Sequence, residues 1–156
     1  MTYESLLIEA AHHGVDTYEM PMTSGNKGLY SDKVIWINKC MPTKVEKACV
    51  LAEELGHFHT SSSNILDLTD IRNRKQELRA RQWAYYKLIP LSRIVDAHKA
   101  HVKGRYEIAD YLGVTEEFLQ AAIDRFRDRY GLCTIIDGRY IIYFEPLGVA
   151  EMFIDT

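Results

Sequence analysis

The sequence predicts an α+β protein, and three observations support that prediction. Residues 33–38 form a β-branched and aromatic run with the length of a strand. Thr43 and Glu46, three residues apart, have the spacing of a capping box and predict the start of a helix. Near the end of the chain, Asp137 and Gly138 stand between two β-branched runs and predict a hairpin. Strands near both ends with helices between them are typical of the α+β class.

The remaining elements follow from hydrophobic spacing and from helix-breaking residues. Gly14 ends a first helix, a polar cluster at 60–64 ends the capped helix, Pro90 ends the next, and Gly131 ends the last. A charged stretch follows the polar cluster, and residues 24–28 have the composition of a turn. The predicted helices are 3–14, 44–59, 74–88, 92–102, 106–112 and 116–130, and the predicted extended segments are 15–20, 33–38, 134–136 and 140–143.

Length and composition limit the function classes. The 156 residues are 47% hydrophobic and 26% charged, which is enough for a packed core and excludes a disordered or collagen-like chain. The net charge of −3 gives no overall attraction to nucleic acid or to an anionic membrane. No segment has the length of a membrane helix, and the first residues lack a basic start, so we expect a soluble cytoplasmic protein. The three cysteines form no C-x-x-C pair and are expected to be reduced thiols.

The capped helix contains the residues with the clearest chemistry. Glu53 and His57 are four residues apart, so their side chains are offset by only about 40° and can reach one ion. Glu54 lies about 100° further round the helix, beside that pair. This is the arrangement of the H-E-x-x-H zinc hydrolases, with Glu53 in the place of the first histidine. Glu54 would then take a proton from the bound water and pass it to the leaving amine.

A catalytic zinc site uses three protein ligands and keeps one position for water. Glu77 is the best-placed third ligand, because it begins a stripe of small residues, Ala80 and Ala84, that lets two helices approach closely. His59 is two residues from His57, so on a continuous helix it is expected to support the ligands. If the helix ends early, His57 and His59 could both turn inward, and His59 would replace Glu53 as a ligand.

Two segments resemble the ImmA/IrrE family of metallopeptidases. Residues 51–57, Leu-Ala-Glu-Glu-Leu-Gly-His, resemble the family's H-E-L-G-H segment, and residues 77–90 resemble its E-x-x-A-x-x-F-A-x-x-L-L-x-P segment. Gly28-Leu29-Tyr30 and the strand after it also stand where the family has its strand. The resemblance covers about residues 5–90. It implies a zincin-like fold with Glu77 as the third metal ligand, and cleavage of a transcriptional repressor, often one encoded on the same phage or mobile element.

Glu53 is a departure from the family pattern, which has histidine there. The resemblance to zinc hydrolases makes Zn²⁺ the expected ion. Because a carboxylate makes the ligand set harder, Mn²⁺ is the alternative. A repressor segment is expected to bind in extended form along the strand that contains Ile35 and Ile37, at an edge of the sheet.

The sequence predicts a zincin-like domain at residues 1–91, with a small helical segment and a hairpin at 92–156 packed on it. Residues 107–119 have the small residue, glycine turn and apolar positions of a helix-turn-helix. Its second helix would offer Glu116, Glu117 and Asp124 to the DNA groove, which argues against DNA binding. The hairpin could join the first sheet or pair with a partner strand. The alternative function is a catalytically degenerate scaffold, or a helix-turn-helix regulator, that acts by binding a repressor or DNA.

Overall fold

The computed structural model describes residues 1–23, 25–61 and 71–153, and the chain folds as two units, Met1–Leu88 and Ile89–Thr156. The boundary predicted from the sequence lies three residues later, after residue 91. Residue 24 of the predicted turn, and most of the polar and charged segment predicted after the capped helix (residues 62–70), lie outside the described residues. Among the described helices, none combines the length and hydropathy that a membrane span needs.

The first unit places a three-stranded sheet beside three helices. Its elements are α1 (Tyr3–His12), β1 (Asp16–Met20), β2 (Gly28–Ser31), β3 (Val34–Asn38), α2 (Lys44–Thr60) and α3 (Ile71–Leu88). β3 pairs in parallel with β1 and antiparallel with β2, so the strand order is β1-β3-β2. The hairpin between β2 and β3 turns at Asp32 and Lys33, both of which have positive φ.

The predicted strand edge is wrong. β3 is the central strand of the sheet, and Ile35 and Ile37 are fully buried in the core. Since both edges of β3 are already hydrogen bonded to other strands, neither residue can line an edge that receives a substrate. In this sheet the edge strands are β1 and β2.

Helix α2 begins and ends through local hydrogen bonds that the sequence encodes. The Thr43 hydroxyl oxygen accepts from the Glu46 N–H at 3.1 Å, which is the N-terminal cap that the sequence predicts. At the other end, the Thr60 hydroxyl donates to the Gly56 carbonyl at 2.7 Å, and the Ser61 N–H donates to the His57 carbonyl at 2.9 Å. The helix therefore stays intact through His59, and the early ending considered above does not occur.

Helices α2 and α3 pack with their backbones in contact at Gly56. A Cβ atom built on Gly56 would lie 2.2 Å from the carbonyl oxygen of Ala80, closer than any real side chain allows. Ala80 and Ala84 are both completely buried, as expected for small residues between two helices. The glycine and the two alanines thus set how closely the two helices approach.

The second unit contains three helices and a second three-stranded sheet. Its elements are α4 (Leu91–Lys99), α5 (Arg105–Leu112), α6 (Glu116–Tyr130), β4 (Cys133–Ile136), β5 (Tyr140–Phe144) and β6 (Leu147–Glu151). Gly113 ends α5 in a left-handed conformation and the Thr115 hydroxyl caps α6, which gives the predicted helix-turn-helix shape. Asp137 and Gly138 both have positive φ, as a two-residue hairpin turn requires.

The C-terminal strands differ from the prediction in one respect. The predicted hairpin gains a third strand, β6, and the sheet has the antiparallel order β4-β5-β6. This sheet is separate from the sheet of the first unit. Helices and two small sheets in this arrangement are consistent with the predicted α+β, zincin-like fold class.

We predict that the protein's stability depends on the absence of a side chain at Gly56. Gly56→Ala should lower the free energy of unfolding by about 2 kcal/mol through overpacking against Ala80, although alanine inside a helix is otherwise favoured by about 1 kcal/mol. Urea denaturation measures the change. Gly148→Ala is the control, because a Cβ there meets nothing within 4 Å. An unchanged or raised stability for Gly56→Ala would show that the helices can separate at no cost.

Candidate functional site

An imidazole and a carboxylate meet where α2 and α3 pack. His57 Nε2 lies 2.9 Å from Glu77 Oε2. Glu77 Oε1 in turn lies 3.2 Å from Arg81 Nε, one turn further along α3. His57 is buried, and its Nδ1 atom has no hydrogen-bond partner among the described residues. Two of the residues that the sequence proposes as ligands are therefore in direct contact.

The electrostatics of this pair are dominated by the contact itself. The hydrogen bond to His57 is the main cause that holds the pKa of Glu77 below its usual range, and Arg81 acts in the same direction. Burial lowers the pKa of His57, but the hydrogen bond to Glu77 and the nearby carboxylates outweigh burial and raise it overall. Both partners thus favour their charged forms.

Glu53 and Glu54 lie half-buried on α2, one turn before His57. Burial is the main cause that raises the pKa of Glu54 to about 7; His57 opposes this rise, while Glu53 and Glu77 add to it. Burial also raises the pKa of Glu53, against the attraction of Arg81. Three carboxylates and one imidazole therefore share a partly desolvated region.

The first residue of β2 approaches Glu54 closely. A Cβ atom built on Gly28 would lie 2.6 Å from Val50 Cγ1 and 3.1 Å from Glu54 Oε1. Only glycine lets the β2 backbone come this near to the carboxylate without displacing a neighbour. The candidate general base therefore lies directly beside an edge strand of the sheet.

His59 does not join this group. Its ring stacks on Trp83 with centroids 4.6 Å apart and meets His13 edge to face at 4.9 Å. Because α2 is helical through Thr60, His59 points away from the side of the helix that carries His57. The alternative in which His59 replaces Glu53 as a ligand is not what the structure contains.

The side chains of Glu53, His57 and Glu77 are of the types that bind a divalent cation, but only His57 and Glu77 lie close enough to share one. Imidazole and carboxylate groups are ligands of both Zn²⁺ and Mn²⁺. Across residues 1–23, 25–61 and 71–153, however, no three His, Cys, Asp or Glu side chains are grouped so that they could hold one ion. Glu53 is coupled electrostatically to His57 and Glu77 but does not complete the group. A three-ligand site would require its carboxylate to turn toward the His57–Glu77 pair.

Comparison with known proteins identifies the family of this chain. A family model described as the IrrE N-terminal-like domain of peptidase family M78 matches residues 10–124. The chain belongs to the M78 peptidase family. The predicted resemblance to ImmA/IrrE proteins is thereby confirmed, and the matched region includes both helices that carry Glu53, Glu54, His57 and Glu77.

A solved structure supports the fold alone. A Mycobacterium tuberculosis transcriptional regulator aligns with a TM-score of 0.54 at 16% identity, covering 78% of this chain. The M78 chain spans only 40% of the length of that regulator. No curated protein matches by sequence.

Two features of the site were not predicted from the sequence. Arg81 is four residues after Glu77 on one helix, and that spacing could have identified the ion pair. Nothing in the nearby sequence predicts the close approach of Gly28 to Glu54, because that approach depends on how β2 packs on α2.

We predict a measurable coupling between β2 and α2 beside Glu54. Gly28→Ala should lower the free energy of unfolding by about 1–2 kcal/mol, because the new Cβ collides with Val50. Val50→Ala removes the colliding methyl, so the double variant should cost about 1 kcal/mol less than the sum of the single changes. A double-variant cycle with Val45→Ala, an exposed position on the same helix, is the additive control. Additive costs for Gly28 and Val50 would contradict the close approach.

Proposed function

We propose that this M78 protein is a metal-dependent endopeptidase that acts in the cytoplasm and cleaves a transcriptional repressor. The observation that carries the proposal is the 2.9 Å contact between His57 and Glu77 beside Glu54, in a chain of a peptidase family. The repressor as substrate follows from the resemblance to ImmA/IrrE proteins. A phage or mobile element as the source of the repressor has the same basis.

His57, Glu77 and Glu53 would hold the ion, with Zn²⁺ as the expected metal and Mn²⁺ as the alternative. When bound, the ion would supply Lewis-acid chemistry by polarising the scissile carbonyl and making a water more acidic. Arg81 holds Glu77 toward His57 through its ion pair, so it positions one of the ligands. Among the described residues Glu53 is not grouped with the other two, so its carboxylate would have to turn toward them to bind the ion.

Glu54 is the proposed general acid and base. Burial raises the pKa of its half-buried carboxyl group to about 7, and a cation held beside it would favour the carboxylate, which is the form that accepts a proton. The carboxylate could take a proton from the attacking water, and the acid so formed could return it to the leaving amine. Its place beside β2 puts this proton transfer next to an edge strand.

The substrate is proposed to bind along the outer edge of β2. In the described sheet, β2 pairs only with β3, so its other edge has unpaired backbone groups. An extended peptide can add to such an edge through main-chain hydrogen bonds. Since Gly28 begins β2 next to Glu54, a peptide bond held there would lie close to the general base. This edge replaces the expectation based on Ile35 and Ile37.

We predict that Glu54→Gln abolishes cleavage while the fold is retained. The amide cannot accept the proton, so the rate should fall by about 10²–10⁴-fold. Cleavage of a mixed peptide library, followed by mass spectrometry, measures the loss. Glu46→Gln, in the first turn of the same helix, is the matched control and should cleave as well as the wild type. If Glu54→Gln retained full cleavage, the proposed mechanism would be wrong.

Metal content gives a second test that does not depend on finding a substrate. Protein purified without a metal-binding tag should contain about one Zn²⁺ or Mn²⁺ per chain by elemental analysis. His57→Ala and Glu77→Gln should both lose it. Wild-type protein that holds no metal after incubation with zinc would instead favour the alternative, a degenerate scaffold that relieves repression by binding its partner.

A further inference from the structure

A chain of ring contacts extends from β2 around the C-terminal end of α2. We call the five residues that form it the aromatic cluster: His13, Tyr30, Phe58, His59 and Trp83. The ring of Phe58 is central: its centroid lies 6.3 Å from that of Tyr30, 5.9 Å from His13 and 4.9 Å from His59. His59 connects Phe58 to Trp83 through a stacked contact at 4.6 Å. The aromatic cluster is therefore continuous from the edge strand β2 to helix α3.

The aromatic cluster is not part of the buried core. Phe58, Tyr30 and Trp83 are half-buried, and His13 and His59 are exposed. Aromatic rings that keep part of their surface in solvent offer area that a bound apolar group can cover at little entropic cost. The aromatic cluster thus has the character of a contact surface.

The geometry of β2 places this surface beside the proposed substrate edge. Side chains alternate between the two faces of a strand. Gly28 faces α2, because its Cβ would meet Val50 and Glu54, and Tyr30 faces the same way toward Phe58. Leu29, between them, points to the opposite face and is 45% exposed. Along β2, the α2-facing positions therefore lead from the general base to the aromatic cluster.

A peptide paired with β2 would follow the same alternation. Residues directly opposite each other in a strand pair project to the same face. The peptide residue opposite Gly28 would then face Glu54, and the residue opposite Tyr30, two positions away, would face Phe58. The register fixes the spacing between the cleaved bond and the aromatic cluster to about two residues.

We propose, building on the proposed peptidase function, that the aromatic cluster is a substrate subsite for a large apolar or aromatic side chain. Phe58 and Tyr30 form the part nearest the edge strand, and His13 and His59 extend it. The substrate class is an extended segment of a repressor that presents such a residue about two positions from the residue beside Glu54. Phe58 is the specificity-determining residue of this subsite.

The test begins with wild-type protein loaded with Zn²⁺ or Mn²⁺ and a mixed peptide library. The cleaved peptides should share a large apolar residue at one position about two residues from the cleaved bond. Two synthetic peptides based on the best-cleaved sequence, with Phe or Ala at that position, then give kcat/KM values. The wild type should prefer the Phe peptide by about 10-fold or more.

Variants assign the preference to Phe58. Phe58→Ala should lower kcat/KM for the Phe peptide about 10-fold and change that for the Ala peptide by less than about twofold. Phe58→Lys should shift the library preference at this position toward Asp and Glu, a gain that a misfolded protein cannot show. Val45→Ala, an exposed apolar position at the opposite end of α2 from Phe58, is the control and should change neither peptide.

The outcomes separate this inference from the proposed function. A wild type that cleaves peptides with no apolar preference at any position near the bond overturns the subsite and leaves the peptidase function intact. An equal loss for both peptides in Phe58→Ala, with no new preference in Phe58→Lys, also overturns it by making Phe58 merely structural. A metal-loaded wild type that cleaves nothing overturns the peptidase function itself and the subsite with it.

Discussion

The candidate site depends on how closely α2 and α3 approach at Gly56. The Ala80 carbonyl occupies the space that any side chain at position 56 would need. Since His57 follows Gly56 directly and Glu77 precedes Ala80 by one turn, backbone contact at this point brings the imidazole and the carboxylate together. Small residues on both helices make this approach possible, so the imidazole and the carboxylate meet directly. Such a contact is rigid, because packed backbones have no rotamers through which they can relax.

This approach concentrates negative charge in a partly buried region. Glu77 is kept ionised by His57 and Arg81, whereas burial favours the neutral forms of Glu53 and Glu54. One imidazole and one guanidinium balance only part of the charge that three carboxylates can carry. A divalent cation would supply the remainder, and it would also lower the cost of ionising Glu53. Burial also raises the pKa of Glu54, and the same cation would lower it again toward the carboxylate that accepts the proton in the proposed mechanism.

Local signals predicted most of the helices and strands, and pairing between distant segments explains the errors. Thr43 and Asp137-Gly138 act within a few residues, so the helix start and the hairpin turn were predictable. Glu77 was predicted to lie near His57 because it begins the stripe of small residues, Ala80 and Ala84, that lets the two helices approach closely. The prediction that β3 lies at an edge of the sheet was wrong, because strand order is set by pairing between distant segments. β6 was not predicted because it contains Gly148, and a glycine inside a strand weakens the strand signal.

Position 53 carries glutamate where the resemblance to ImmA/IrrE proteins implies histidine, and this carboxylate is not grouped with His57 and Glu77 among the described residues. Histidine has two side-chain torsions and a rigid ring, whereas glutamate has three torsions and a carboxylate that can rotate freely. A histidine at position 53 would have fewer torsions to fix on binding an ion, whereas a glutamate there would lose more rotamer freedom. On the proposed function, Glu53 would have to turn toward His57 and Glu77 to hold an ion, because the three are not grouped among the described residues. The carboxylate at this position would then weaken affinity for zinc relative to the histidine form of the family, while making the site more tolerant of Mn²⁺.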